Sequence, residues 1–236
     1  MGLTISYELA LKAEVSPAVV RELVRRTAPY ARKIGCAQVS GLLQAEKCEG
    51  LAPLLFSPRR AKDTFLSWVE PERGWLVQVS PGPGCETALF GLCQYPRRIG
   101  YGRGQAATGF RGGWWFRSFC KTQYAGAHGW DNFWQCHLRV ISLLDFWRGL
   151  GARVKVNDES DYWESRSVEK LRESLGSYNG FVAAMGGMLK DAEEGSSVRA
   201  PIFTYQHFER LEHEGWRRFG ARLERLQAMM SNLIAH

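Results

Sequence analysis

The sequence predicts an α+β fold: a mixed, largely antiparallel sheet of five or six strands, flanked by helices, with a C-terminal antiparallel helical hairpin packed on it. Three observations carry that expectation. Residues 3–11 alternate Leu3, Ile5, Tyr7, Leu9 and Leu11 against Thr4, Ser6 and Glu8, the period-two signature of a half-buried strand. Two apolar runs, GWLVQVS and TALFGLCQY, flank the turn-rich SPGPGC and read as a hairpin with a long loop. The last third keeps a three-four spacing twice, through Val168, Leu171, Leu175, Tyr178, Val182, Met185 and Leu189, and again through Trp216, Phe219, Leu223, Leu226, Met230 and Leu233.

The remaining elements follow in chain order. Ser16-Pro17 supplies an N-cap and a first-turn proline, and Val15 and Val20 are spaced for a hydrophobic staple. The helix so begun runs to about Ile34 and stops at Gly35, and 36–44 reads as a second strand. Pro53, Pro58 and Pro71 break the next stretch, leaving a short helical piece near 61–69. From 96 to 113 the chain is a glycine-rich, basic loop, followed by a strand over 114–124. Asp131 is placed to cap a helix that presents Phe133, Cys136, Val140, Leu143, Leu144 and Trp147 on one face and ends near Gly149 and Gly151. ARVKVN is a short strand leading into the acidic corner DESDYWE. Phe181, Ala184 and Met188 widen the apolar face of the first long helix, placing it between the sheet and its partner helix. A loop with Gly195, Ser196, Ser197 and Pro201 leads to that partner. The seam between the two helices is either internal or shared with another chain. The whole reads as one domain, a sheet-containing body over 1–160 and a hairpin over 161–236.

Composition narrows the class. At 236 residues, with 45% hydrophobic and 23% charged, the chain can bury roughly 70–75% of its unfolded surface without staples. The six cysteines form no C-x-x-C pair, which argues against a zinc ribbon or a thioredoxin-type centre. With no secretory signal recognised, they are expected to be reduced thiols in a cytoplasmic protein. No apolar run approaches the roughly 18 residues a membrane helix needs, so no membrane association is expected. The opening M-G-L-T-I-S matches the loose myristoylation pattern, but the same residues read as a strand. A net charge of +7 points to an anionic partner, nucleic acid or an acidic protein.

The stretch FRSFCKTQYAGAHGWDN, 116–132, concentrates polar chemistry. Strand alternation sets Trp114, Phe116, Ser118, Cys120, Thr122 and Tyr124 on one face and Trp115, Arg117, Phe119, Lys121 and Gln123 on the other. Cys120 and Lys121 therefore point opposite ways, and Cys120 reads as a buried structural thiol. On the odd face, Arg117 and Lys121 can pair with phosphates while Trp115 and Phe119 stack on bases, as sheet platforms do with single-stranded RNA. The loop before it adds Arg97, Arg98, Arg103, Arg111, Tyr101 and Phe110. No RNA-recognition signature accompanies them, and one R-G-G is not an RGG domain. The competing structural account covers Trp115 and Phe119 with the C-terminal helices. GYGRGQAATG matches neither a P-loop nor a dinucleotide fingerprint.

The acidic corner offers Asp158 and Glu159 to a ligand or a divalent metal, while Asp161 and Glu164 have the spacing of a capping box. His137 reads as a hydrogen-bonded core-edge histidine and His128 as a freer loop residue. Arg217, Arg218, Arg222 and Arg225 read as a solvated helix face. Ligand contact is accordingly expected at Trp115, Arg117, Phe119, Lys121, Gln123, His128, Asp158, Glu159, Arg103 and Arg111, with no catalytic residue, resident metal or cofactor assigned. Three functions compete. The first is an accessory binding protein for RNA or an acidic protein. The second is an enzyme for a small phosphorylated or polar substrate, in which Lys121, Gln123, His128, Asp158 and Glu159 converge at one end of the sheet, with or without a divalent metal. The third is a complex subunit or homodimer joined through the C-terminal heptads.

The stretches SFCKTQYA and VNDESDYWESR, with the opening G-L-T-I-S-Y, resemble a widespread bacterial family of similar length that has no assigned activity. Ser160 stands where that pattern has glycine. The resemblance implies a bacterial cytoplasmic origin and carries no function.

Overall fold

The computed structural model describes residues 3–12, 14–48, 50–56, 67–101, 104–192, 201–205 and 207–234. The fold is α+β. Its strands are β1 (Thr4–Leu11), β2 (Gln38–Val39), β3 (Leu43–Gln44), β4 (Leu54–Phe56), β5 (Ser67–Val69), β6 (Arg73–Ser80), β7 (Ala88–Gln94), β8 (Arg98–Tyr101), β9 (Gly104–Ala107), β10 (Trp114–Lys121) and β11 (Arg153–Asp158). Its helices are α1 (Pro17–Arg25), α2 (Thr27–Lys33), α3 (Trp130–Gly149), α4 (Tyr162–Ser165), α5 (Val168–Ala192) and α6 (Phe208–Ile234). The main sheet runs β11-β1-β10-β7-β6-β2, with β3 also paired to β6. Every pairing among the described strands is antiparallel, so the expected mixed character is absent.

Alternation in β1 buries Leu3, Ile5, Tyr7 and Leu9 against α1, α2 and α3, together with Val77, Val79, Phe90, Leu92 and Trp114 from the neighbouring strands. Tyr7 stacks on Phe90 with ring centroids 5.1 Å apart, and its hydroxyl donates to Leu89 O at 2.6 Å. Ser16 caps α1, its hydroxyl accepting from Val19 N at 3.4 Å, and Gly35 turns the chain after α2 at φ +82°. The predicted single helix over 17–34 breaks at Arg26 into two. The strand read over 36–44 is likewise two short pieces, and both dock on β6 rather than beside β1.

A second, smaller core lies on the opposite face of the sheet. Ala45, Ala52, Val69, Leu76, Cys93, Tyr95 and Phe116 pack there, with Leu54, Phe110 and Trp115 around them. The chain over 43–48, 50–56, 67–71, 96–101 and 104–113 thus roofs the β6-β7 half of that face. Residues 67–69, read from sequence as helical, form an edge strand of the β4-β5 hairpin, and the rest of that expected helix, 61–66, lies outside the described residues. The basic loop before β10 contains a short β8-β9 hairpin that the glycine pattern concealed.

Leu171 and Leu175 of α5 join the main core, whereas Phe181 and Ala184 meet Leu223, Trp216 and Phe219 of α6. The second apolar stripe of α5 therefore faces α6, and the two long helices pack on each other along it. Helix α6 begins at Phe208, two turns before the first residue of its apolar stripe, Trp216. Gly2, of the loose myristoylation pattern, and the 195–197 loop lie outside the described residues. No helix among the described residues is long and apolar enough to cross a membrane.

Candidate functional site

The roof over one half of the sheet leaves the other half open. Across β10, β1 and β11 the register aligns Arg117 with Glu8 and Glu8 with Lys155, and Phe119 with Ser6 and Ser6 with Asn157. Arg117, Phe119, Arg153, Lys155 and Asn157 are exposed on this face, and the small Ser6 and Ala10 between them leave it shallow. Phe119 is 50% exposed, unusual for a phenylalanine in a sheet. The C-terminal helices pack on the other side of the molecule, through Leu171 and Leu175, and do not cover it.

Where the open half meets the roof there is a groove of about 540 Å³ lined by Pro53, Leu54, Trp68, Thr108, Phe110, Trp115, Arg117 and Phe119, among others. Trp68, on β5, is 66% exposed and lines the same groove as Phe119. Trp115 is half-buried: its ring lies 5.6 Å from Phe110 and 6.0 Å from Tyr95, so it forms part of the roof's packing. Thr108 donates to Pro96 O, and Tyr95 to Ala52 O at 2.9 Å, which ties the 96–113 segment to the roof. Arg111 is exposed, and Arg97 donates to its carbonyl at 3.1 Å. Arg103 lies outside the described residues, as does the side chain of Tyr101.

Lys121 stands at the end of the open face, 3.4 Å from Glu86 Oε1 and 5.7 Å from the Phe119 ring centre. It is a partly screened cation.

Of the residues assigned to an enzymatic reading, Lys121, Gln123, Asp158 and Glu159 lie at that end of the sheet, and two of them, Gln123 and Asp158, are buried inside it. Strand β10 ends at Lys121, so Gln123 belongs to a 3₁₀ segment, Gln123–His128, and does not continue the strand. Gln123 is buried; its Oε1 accepts from Leu3 N and its amide donates to Asn179 Oδ1, both at 3.0 Å. Asp158 is buried as well. Its carboxylate accepts from Ser160 N at 2.9 Å, Ser160 Oγ at 2.7 Å and Trp163 N at 3.0 Å, and lies 3.3 Å from His137 Nε2. His137 Nδ1 meets Thr122 Oγ1 at 3.0 Å. Burial works against ionisation of Asp158, but these donors hold its carboxyl below the ordinary aspartate value.

That network corrects the reading of the acidic corner. Asp161 does not cap α4: it has φ +57° and makes no side-chain capping bond, and Asp158 satisfies the N–H groups of the turn instead. Asp131 likewise makes no capping bond, because α3 begins at Trp130 with Gly129 before it. Glu159 is exposed and reciprocally bonded to Thr4 through backbone and carboxylate. His128 is exposed at the end of its 3₁₀ segment. Cys120 is fully buried, as its strand position implied, and Arg217, Arg218, Arg222 and Arg225 are exposed. Among the described residues no three His, Cys, Asp or Glu side chains converge closely enough to hold a metal ion.

Trp68, Leu54 and Pro53 were not singled out by sequence reasoning. They sit in the proline-broken stretch where no periodicity is long enough to fix orientation; the dipeptide Ser67-Trp68 beside Val69 is the only local sign of a strand. No protein-family model, curated protein or solved structure is significantly similar to this chain.

Proposed function

We propose that the protein is an accessory binding protein that holds a short single-stranded segment of RNA on the open face of β10, β1 and β11 and in the adjoining groove. The observation that carries this reading is the pair of exposed rings, Phe119 and Trp68, lining one groove with the exposed guanidinium of Arg117. Stacking needs an exposed ring and phosphate pairing needs an unburied cation, and Phe119 and Arg117 bring both to this groove. Lys155, Arg153 and Arg111 extend the positive charge beyond it, while Glu8, aligned between Arg117 and Lys155 and 3.8 Å from the Lys155 ammonium, offsets part of that charge. The overall charge of +7 favours an anionic partner in the same sense.

An enzymatic reading loses support because Gln123 and Asp158 spend their polar atoms on buried structural bonds. Photocross-linking of a uridine-rich oligonucleotide, followed by peptide mapping, tests the RNA reading. Cross-links are expected at Trp68, Trp115 or Phe119. Cross-links confined to the α5-α6 hairpin, or capture of an acidic peptide in preference to RNA, would overturn it.

A further inference from the structure

The turn between β6 and β7, residues 81–87, sets one acidic side chain against the end of the open face. Glu86 N donates to Lys121 O at 3.2 Å and Cys120 Sγ donates to Glu86 O at 3.2 Å, so the backbone of Glu86 is held alongside the last residues of β10. Its carboxylate then takes two donors of Lys121 at once. Oε2 accepts from the backbone N–H at 3.3 Å, and Oε1 lies 3.4 Å from the Nζ ammonium. A backbone N–H and a cation aimed at one anionic group is a donor set by which proteins hold phosphate. Neither side chain is sealed in: Lys121 is 36% and Glu86 38% exposed, so the carboxylate can turn out into solvent while the two backbone bonds stay.

The place of this pair on the sheet matches the open face. Arg117, Phe119 and Lys121 follow one another at alternate positions of β10, about 6–7 Å per step. Lys121 Nζ is 5.7 Å from the Phe119 ring centre. The half-exposed ring is therefore flanked along its strand by two cations, of which Arg117 is exposed and Lys121 is held by an acid. A base stacked on Phe119 brings its own phosphate within reach of that end.

We propose that the Lys121 N–H and ammonium form a phosphate seat of the RNA surface, filled in the free protein by the Glu86 carboxylate, which a phosphate of the bound strand displaces. This rests on the RNA reading above and adds to it the group bound at Lys121 and the residue that controls access to it. A carboxylate and a phosphodiester each carry one negative charge, so the exchange gains little by itself. Glu86 thus weakens binding by competing for Lys121, and the seat closes on a phosphate only when neighbouring contacts, stacking on Phe119 foremost, hold the strand in place. Glu86→Gln separates this role from a purely structural one. Glutamine has the same shape and keeps an acceptor for the Lys121 N–H, but it no longer holds the ammonium by charge.

The test is fluorescence anisotropy of a labelled eight-nucleotide RNA with four full-length proteins: parent, Glu86→Gln, the double variant Glu86→Gln/Lys121→Met, and Glu22→Gln. The last makes the same charge change on α1, which packs on the other face of the sheet. Glu86→Gln should bind about 3- to 10-fold more tightly at 0.1 M salt, with a log–log salt slope steeper by about 0.7, as one more counterion is released. The double variant should lose that gain, and Glu22→Gln should stay within about twofold of the parent. Acetylation of Lys121 by a small amine reagent, mapped by mass spectrometry, should slow when RNA is added to the parent and to Glu86→Gln alike. Equal binding by parent and Glu86→Gln, a gain that survives Lys121→Met or is matched by Glu22→Gln, or Lys121 acetylation indifferent to RNA would overturn the seat while leaving the RNA surface standing. No binding by any of the four proteins would remove the RNA reading and the seat with it.

Discussion

His137 Nε2 stands 3.3 Å from Asp158 Oδ2 at a place where neither side chain reaches solvent. One carboxylate there serves β11, α4 and α3 at once, since it also accepts from Ser160 N and Trp163 N. Removing it strands several donors in a closed interior. Asp158→Ala is expected to lower unfolding free energy by about 3–5 kcal/mol, the usual cost of breaking a buried polar pair from one side. Asp158→Asn, which keeps one acceptor, should cost less. Urea denaturation of both variants measures the difference.

The same carboxylate sets an acid limit. Burial opposes its charge, yet the bonds from His137 and Ser160 keep its folded-state pKa below the ordinary value of 3.8. A lowered pKa means that its contribution to stability is complete above the unfolded value and is lost as pH falls through the folded one. Stability measured from pH 5 downwards should therefore fall in a step below the ordinary aspartate range, and Asp158→Asn should flatten that step. An unchanged acid limb in the variant would assign acid lability to other carboxyls.

The hairpin seam depends on Gly215, which packs against Gly180. A Cβ on Gly215 would collide with the Gly180 carbonyl and with Ala184, whereas a Cβ on Gly176 meets nothing within 4 Å. Gly215→Ala is expected to destabilise by about 1–3 kcal/mol through forced separation of α5 and α6. Gly176→Ala should stabilise by up to about 1 kcal/mol, since alanine is the better helix former. Thermal melts of the two variants should move in opposite directions.

The two aromatic residues of β10 should behave differently on truncation. Trp115 packs on Phe110 and Tyr95, so Trp115→Ala is expected to cost about 2–4 kcal/mol. Phe119 is half exposed, and Phe119→Ala should stay within about 0.5 kcal/mol of the parent. Chemical denaturation separates a packing ring from a half-exposed one.

Strands and helices with a repeating apolar pattern were legible in the sequence. Alternation gave β1 and sorted the faces of β10, apolar runs around a turn-rich loop gave β6 and β7, and three-four spacing gave α3, α5 and α6. What failed was decided by tertiary contact. The Asp161-Glu164 spacing fits a capping box, but the backbone of Asp161 enters the left-handed region and Asp158 takes over the capping bonds. Strand β10 ends one turn early because Gln123 folds inward to bond Leu3 N and Asn179. Of the open face, Arg117 and Phe119 could be placed by alternation alone, since their strand is long. Trp68 could not, because β5 is three residues long and its position over the sheet comes from the second core, which no local pattern encodes. Nor could the sequence decide whether the C-terminal helices roof Phe119. That depended on Leu171 and Leu175 docking with the main core on the far side.

The account rests on the open face being a surface for single-stranded RNA, and fluorescence anisotropy of a labelled eight-nucleotide RNA across a salt series tests it most directly. For two or three phosphate contacts, log affinity should fall against log salt with a slope of about −1.4 to −2.1. Phe119→Ala should weaken binding by about 5- to 100-fold, the equivalent of one lost stacking contact, with stability unchanged. Arg117→Glu should weaken it further and make the slope shallower. Absence of binding at low salt, or equal affinity for parent, Phe119→Ala and Arg117→Glu proteins, would contradict the account.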